Sequence, residues 1–84
     1  MVYPKYDFSD PDLNYNDVLT TIMQMSNDLL SQSGCCPSKQ VKDVLLDASF
    51  LRRAIDDAAS FSDTDRYEDY IKTCYKLLYP YASS

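Results

Sequence analysis

Apolar residues recur every three or four positions along most of the chain, which is the spacing of one face of an α-helix. Over about residues 15–33 this apolar stripe consists of Val18, Ile22, Met25 and Leu29, and it is widened by Leu19, Met23 and Leu30. Asn14 or Asn16 can cap the start of the helix with a side-chain oxygen. Gly34, the only glycine of the chain, is expected to end the helix in a left-handed conformation.

A second helix is predicted over about residues 39–59, with Ser38 as its N-cap. Its buried face is expected to consist of Val41, Val44, Leu45, Ala48, Leu51, Ile55 and Ala58. The opposite face carries Lys39, Lys42, Asp43, Arg53 and Asp57, as expected of a helix with one side in water.

A third helix is predicted over about residues 63–79. Ser62 and Asp65 have the spacing of a capping box at its start, with Asp in place of the usual Glu or Gln. Its buried stripe is expected to consist of Tyr67, Tyr70, Ile71, Cys74, Leu77 and Leu78. Pro80 is expected to stop the helix near Leu78 or Tyr79, because proline lacks the N–H that continues a helix.

Residues 1–13 contain Pro4 and Pro11 among alternating aromatic and acidic residues, which predicts an extended arm. Alternatively, Asp10 and Pro11 could begin an earlier turn. Loops of about five residues make consecutive helices antiparallel neighbours. The expected fold is one all-α domain over residues 1–84, a small antiparallel three-helix bundle with an extended N-terminal arm and a tail at 80–84.

The net charge of −5 has an uneven distribution along the chain. No basic residue lies between Lys5 and Lys39, and residues 1–34 contain five aspartates. This acidity argues against nucleic acid and anionic membranes as partners and favours a basic protein surface. No apolar run reaches the roughly 20 residues of a membrane span, and the first residues lack the pattern of a signal peptide. We therefore expect a cytoplasmic protein, in the host cytoplasm if it is viral.

The composition limits the chemistry that the chain can perform. Histidine is absent and there is one glycine, so histidine-based catalysis, zinc sites and glycine-rich phosphate loops are not expected. Residues 10–14 match the first ligand positions of a calcium loop, but Tyr15 and Thr21 stand where that loop requires Gly and Glu. We expect no catalytic residue, no metal and no cofactor.

The three cysteines form no disulfide framework, and a reducing compartment is expected. Cys74 is expected to be a small buried apolar residue. For Cys35 and Cys36 a loop-filling role is favoured, and oxidation sensing or an intermolecular disulfide remains the alternative.

The candidate partner-binding residues combine aromatic rings with carboxylates in the N-terminal region, and they are Tyr3, Tyr6, Asp7, Phe8, Asp10 and Asp12. Such a surface could occupy a basic groove on another protein, or the rings could fold back onto the bundle. The first hypothesis for function is a non-enzymatic interaction module, such as a small acidic effector or inhibitor encoded by a phage or mobile element. The second is a self-assembling structural or connector subunit, whose aromatic helix faces bind copies of itself.

Overall fold

The computed structural model describes residues 3–32 and 39–82, and within them the only regular secondary structure is α-helix. Helix α1 spans Tyr15–Gln32, α2 spans Lys39–Ser60 and α3 spans Thr64–Ala82. The helices pack against one another as a small three-helix bundle, which confirms the predicted all-α fold. Residues 3–14, called the arm from here on, contain turns but neither helix nor strand.

Helix α3 is the central element of the bundle. It packs extensively against α2 and α1, whereas α1 and α2 pack against each other only slightly. The Cys74 thiol lies 3.9 Å from the carbonyl oxygen of Ala48, and Ala58 lies beside Tyr67, so α2 and α3 are antiparallel. The Tyr67 hydroxyl donates to Oδ1 of Asn16 at 3.3 Å, which places the starts of α1 and α3 side by side.

The core consists mainly of the stripes that the helical spacing predicts. Its fully buried large side chains are Val18, Ile22, Met25, Ile55, Ile71, Cys74 and Leu78. The predicted widening of the α1 stripe is wrong at two positions, because Met23 is 45% exposed and Leu30 is 59% exposed. Among the described helices, α2 packs against α3 rather than closely against α1, which leaves these two positions of α1 exposed.

Asn14 is the N-cap of α1. Its Oδ1 accepts a hydrogen bond from the N–H of Asn16 at 3.0 Å, and its carbonyl accepts from the N–H groups of Asp17 and Val18. This settles the choice that the sequence left open between Asn14 and Asn16. The predicted caps at Gly34 and Ser38, and both Cys35 and Cys36, lie outside the described residues.

The turn between α2 and α3 has a different cap from the predicted one. The N–H of Asp63 donates to the carbonyl of Ala58, and that of Ser62 donates to the carbonyl of Ala59. This is a Schellman motif, and Ser62 occupies its left-handed position with φ of 57°. The expected capping box is therefore wrong, because Ser62 closes α2. Asp63 caps α3 instead, accepting from the N–H of Arg66 at 3.2 Å.

Pro80 does not stop α3 where the sequence predicts. The helix continues through Pro80 to Ala82. Ala82 is buried, and Tyr79 and Tyr81 pack against the core, so tertiary contacts favour the last helical turn. So close to the end of a helix, proline removes one backbone hydrogen bond without interrupting a long segment.

We expect Ser62→Gly to stabilise the protein by about 0.5–1 kcal/mol, because glycine adopts a left-handed conformation without the steric cost of a Cβ atom. The matched control is Ser60→Gly, which places glycine in the last turn of α2 and should destabilise by about 0.5 kcal/mol. Urea unfolding of both variants measures the difference. Destabilisation by Ser62→Gly would contradict the left-handed cap.

Candidate interaction surfaces

The arm runs back along α1 toward the far end of that helix. Near the start of α1, the hydroxyl of Tyr6 lies 2.7 Å from Oγ1 of Thr21. Farther along, the hydroxyl of Tyr3 donates to the carboxylate of Asp28. Tyr3 is only 3% exposed. The arm is thus held to α1 at two points, one at each end of its first four described residues.

Tyr75 of α3 is the residue on which the arm packs. Its hydroxyl donates to the carbonyl of Pro4 at 2.8 Å. Its ring makes edge contacts with Tyr6 and Phe8, each at a centroid distance of 5.5 Å, and a tilted contact with Tyr79 at 5.2 Å. The arm therefore bridges α1 and α3, and its rings complete the core on that side of the bundle.

Burial perturbs the tyrosines beneath the arm. Burial, with the Asp28 carboxylate beside the hydroxyl, raises the pKa of Tyr3 from 10.0 to about 12. Burial also raises the pKa of Tyr75, as does the neighbouring Tyr79 hydroxyl, while a backbone hydrogen bond from Tyr6 opposes the shift. In both residues the neutral phenol is the form that the fold accommodates.

The carboxylates of the arm organise two successive turns on its surface. Oδ1 of Asp7 accepts hydrogen bonds from the N–H and the hydroxyl of Ser9, which hold the pKa of Asp7 below its ordinary value. Oδ1 of Asp10 accepts from the N–H of Asp12 at 2.9 Å. The N–H of Leu13 donates to the carbonyl of Asp10, so the alternative prediction of a turn at Asp10 and Pro11 is confirmed.

The predicted partner-binding residues divide into two groups. Tyr3 is buried, and Tyr6 and Phe8 are half-buried and pack against the core, so the rings fold back onto the bundle. The three carboxylates Asp7, Asp10 and Asp12 remain exposed. All six residues lie on the arm, but only the three carboxylates are exposed to solvent.

A groove of about 430 Å³ lies between α1 and α2, on the side of the bundle that the arm does not cover. We call it the α1–α2 groove. Its described lining consists of Ser26, Leu30, Lys42, Leu45, Leu46, Ser49 and Arg52. Leu30 and Leu46 are both more than half exposed. The charged side chains among these residues are both cations, although the protein as a whole is acidic.

A second exposed apolar feature lies at the turn between α2 and α3. Phe61 is 84% exposed, the highest value among the large apolar residues of the described segments. Asp57, Asp63 and Arg66 line the same surface depression as its ring. We call residues 56–66 the Phe61 corner; they contain four aspartates against one arginine.

Cys74 is fully buried in the core, as the sequence predicts. Burial raises the pKa of its thiol to about 11, with a smaller opposing effect from the Arg52 charge. A thiol with that pKa is almost entirely protonated near neutrality and is a poor nucleophile.

Residues 3–32 and 39–82 contain no group of three His, Cys, Asp or Glu side chains placed to hold a metal ion.

The sequence interpretation overlooked the α1–α2 groove and the Phe61 corner, and its buried stripe for α3 omits Tyr75. Phe61 carried a usable signal, because a large apolar residue between two helices and among serines and aspartates belongs to neither stripe. The groove carried no such signal, since it depends on which helix pairs pack closely.

Comparison with known proteins finds no matching family model, no curated protein and no solved structure with significant similarity to this chain. Of the helices that the structure describes, none is long and apolar enough to cross a membrane.

We expect Tyr3→Phe to destabilise the protein by about 1–2 kcal/mol, because the Asp28 carboxylate loses its donor. The folded-state pKa of Tyr3 is raised, so its contribution is complete below pH 10 and is lost as the pH rises from 10.0 to about 12. Denaturant unfolding across this range should show that the difference in free energy of unfolding between wild type and variant becomes smaller as the pH rises. A difference that stays constant would contradict the role of the Tyr3 hydroxyl as a donor to Asp28. Tyr67→Phe removes a hydrogen bond to the uncharged Asn16 and should destabilise the protein less than Tyr3→Phe does.

Ser26 is buried, and its hydroxyl has no hydrogen-bond partner in the described part of the chain. We expect Ser26→Ala to be neutral or to stabilise by up to about 1 kcal/mol, because it removes a buried polar group without breaking a bond. Thr21→Val should instead destabilise, since the Thr21 hydroxyl bonds the Asp17 carbonyl and lies against Tyr6. Thermal unfolding of the two variants tests this contrast.

Proposed function

We propose that the chain is a non-enzymatic protein-binding module that presents the carboxylates of its arm to a basic surface of another protein. The observation that carries the proposal is the division within the arm. Its rings are held in the core, while Asp7, Asp10 and Asp12 stay exposed on two hydrogen-bonded turns.

The arrangement favours binding because the acidic surface is organised before a partner arrives. The hydrogen bonds from Ser9 favour the charged form of Asp7. The arm is held by Tyr3 and Tyr75, so a partner does not need to order it at the cost of affinity. No basic residue between Lys5 and Lys39 competes for these carboxylates along the chain. The proposal includes the role of a small effector or inhibitor acting in a reducing cytoplasm.

The test neutralises the arm without changing its shape. The variant D7N/D10N/D12N removes three charges, and the amide oxygen of asparagine can accept the same N–H bonds in the turns. The matched control D43N/D47N/D69N removes three charges at exposed positions of α2 and α3. Both variants have the same net charge.

We expect affinity capture from a lysate of the source organism to recover a partner with the wild type and the control, but not with the arm variant. In titrations with that purified partner, the arm variant should bind at least about tenfold more weakly, and added salt should weaken the wild-type complex. Equal binding by all three proteins would refute the arm as the docking surface.

A second candidate function, a self-assembling subunit, is favoured by one observation. Leu46, Phe50 and Phe61 are each more than half exposed, and large apolar surfaces of this kind mark interaction sites.

A further inference from the structure

We propose that the α1–α2 groove binds the Phe61 corner of a second copy of this chain, forming a head-to-tail contact between protomers. This inference extends the second candidate function and is independent of the arm and of any partner of the arm. It rests on two surfaces whose shape and charge are complementary.

The groove supplies an apolar floor and a cationic edge. Leu30, Leu45 and Leu46 give it an apolar lining, while Lys42 and Arg52 supply two positive charges at its α2 side. No acidic side chain is among its described lining residues. A ligand that fits this surface has an apolar group flanked by negative charges.

The Phe61 corner has that combination. Helix α2 ends at Ser60 in the Schellman motif, and the ring of the next residue, Phe61, is left 84% exposed. Asp57, Asp63 and Arg66 stand beside the ring. Arg66 pairs with Asp63 at 3.4 Å, and the corner as a whole keeps an excess of negative charge, with four aspartates against one arginine. Burying an aromatic side chain removes roughly 150–250 Å² from water, and the flanking aspartates can pair with Lys42 and Arg52.

The contact must join two molecules. Phe61 follows Arg52 by nine residues on or directly after the same helix, which is about 13 Å along its axis, so the ring cannot reach the groove of its own chain. Because the two surfaces differ, the contact is heterologous, and it produces an open chain of protomers unless the rotation between them closes a ring. One ring and two ion pairs make a small interface, so the association should be weak.

The first experiment measures the mass of the purified protein by light scattering from about 10 μM to about 1 mM, a range suited to a small interface. We expect the mean mass to rise with concentration and to fall with added salt. Phe61→Ala should weaken association at least about tenfold. The matched control is Phe50→Ala, which removes a ring that is 65% exposed on α2 but does not line the groove.

The second experiment separates a head-to-tail contact from a symmetric one. Leu46→Glu places a negative charge in the groove, which repels the aspartates of the Phe61 corner, but it retains Phe61. Phe61→Ala removes the ring and retains the groove. Each variant alone should be monomeric. In an equimolar mixture, the Phe61 corner of the Leu46→Glu variant can bind the groove of the Phe61→Ala variant. The resulting dimer should add no further protomers, because its remaining groove and its remaining corner are the mutated ones. Circular dichroism checks that both variants remain folded, which is expected because both positions are exposed.

Three results would overturn the proposal. The first is a wild-type protein that stays monomeric up to about 1 mM, the highest concentration of the light-scattering series. The second is a loss of association with Phe50→Ala as large as with Phe61→Ala. The third is an equimolar mixture that remains monomeric when the wild type associates. D7N/D10N/D12N should associate as the wild type does, so the arm proposal and this one can fail separately.

Discussion

The hydrogen bond from the Tyr75 hydroxyl to the Pro4 carbonyl is the interaction on which the rest of the architecture depends. A buried phenol requires an acceptor, and the arm supplies one from the opposite end of the chain. With its hydroxyl satisfied, the Tyr75 ring can lie in the core and provide an edge-packing surface for Tyr6 and Phe8. The arm then has a defined path, and Tyr3 reaches Asp28 at the far end of α1. One side chain thus makes an irregular segment into a fourth packed element.

This arrangement makes the bundle asymmetric. A chain of 84 residues has few large side chains to distribute, and the arm places several of them over α1 and α3. The junction of α2 and α3 is closed by direct helix packing, but no described element covers the junction of α1 and α2. The molecule is accordingly thin, with a smallest dimension of 15 Å. Its two proposed interaction surfaces therefore have opposite characters, since one is acidic and backed by core aromatics and the other is apolar with a cationic edge.

The parts of the fold that depend on local chemistry could be predicted, and those that depend on helix pairing could not. The buried stripes follow from spacings of four residues or fewer. Local chemistry also narrows the cap of α1 to Asn14 or Asn16 and offers the turn at Asp10 as an alternative to an extended arm. Met23 was misplaced because the width of a buried stripe depends on how closely a neighbouring helix approaches. Ser62 was assigned to the wrong helix because one short turn can cap either neighbour, and its backbone conformation decides which. For Pro80, a local preference for ending the helix was overridden by the burial of Ala82. In the candidate site the carboxylates Asp7, Asp10 and Asp12 are exposed, whereas the burial of the rings depends on their packing against Tyr75.

The distance along the chain between Pro4 and Tyr75, 71 residues, also determines when the arm can dock. During synthesis the arm is made before α3, which carries its packing surface. Helices α1 and α2 can form while the arm still lacks its hydrogen bond and ring contacts with Tyr75. Docking of the arm on Tyr75 therefore closes a loop of 71 residues, and contacts of such long range slow folding. Until that step is complete, the aromatic rings of the arm are available to chaperones and to other unfinished chains.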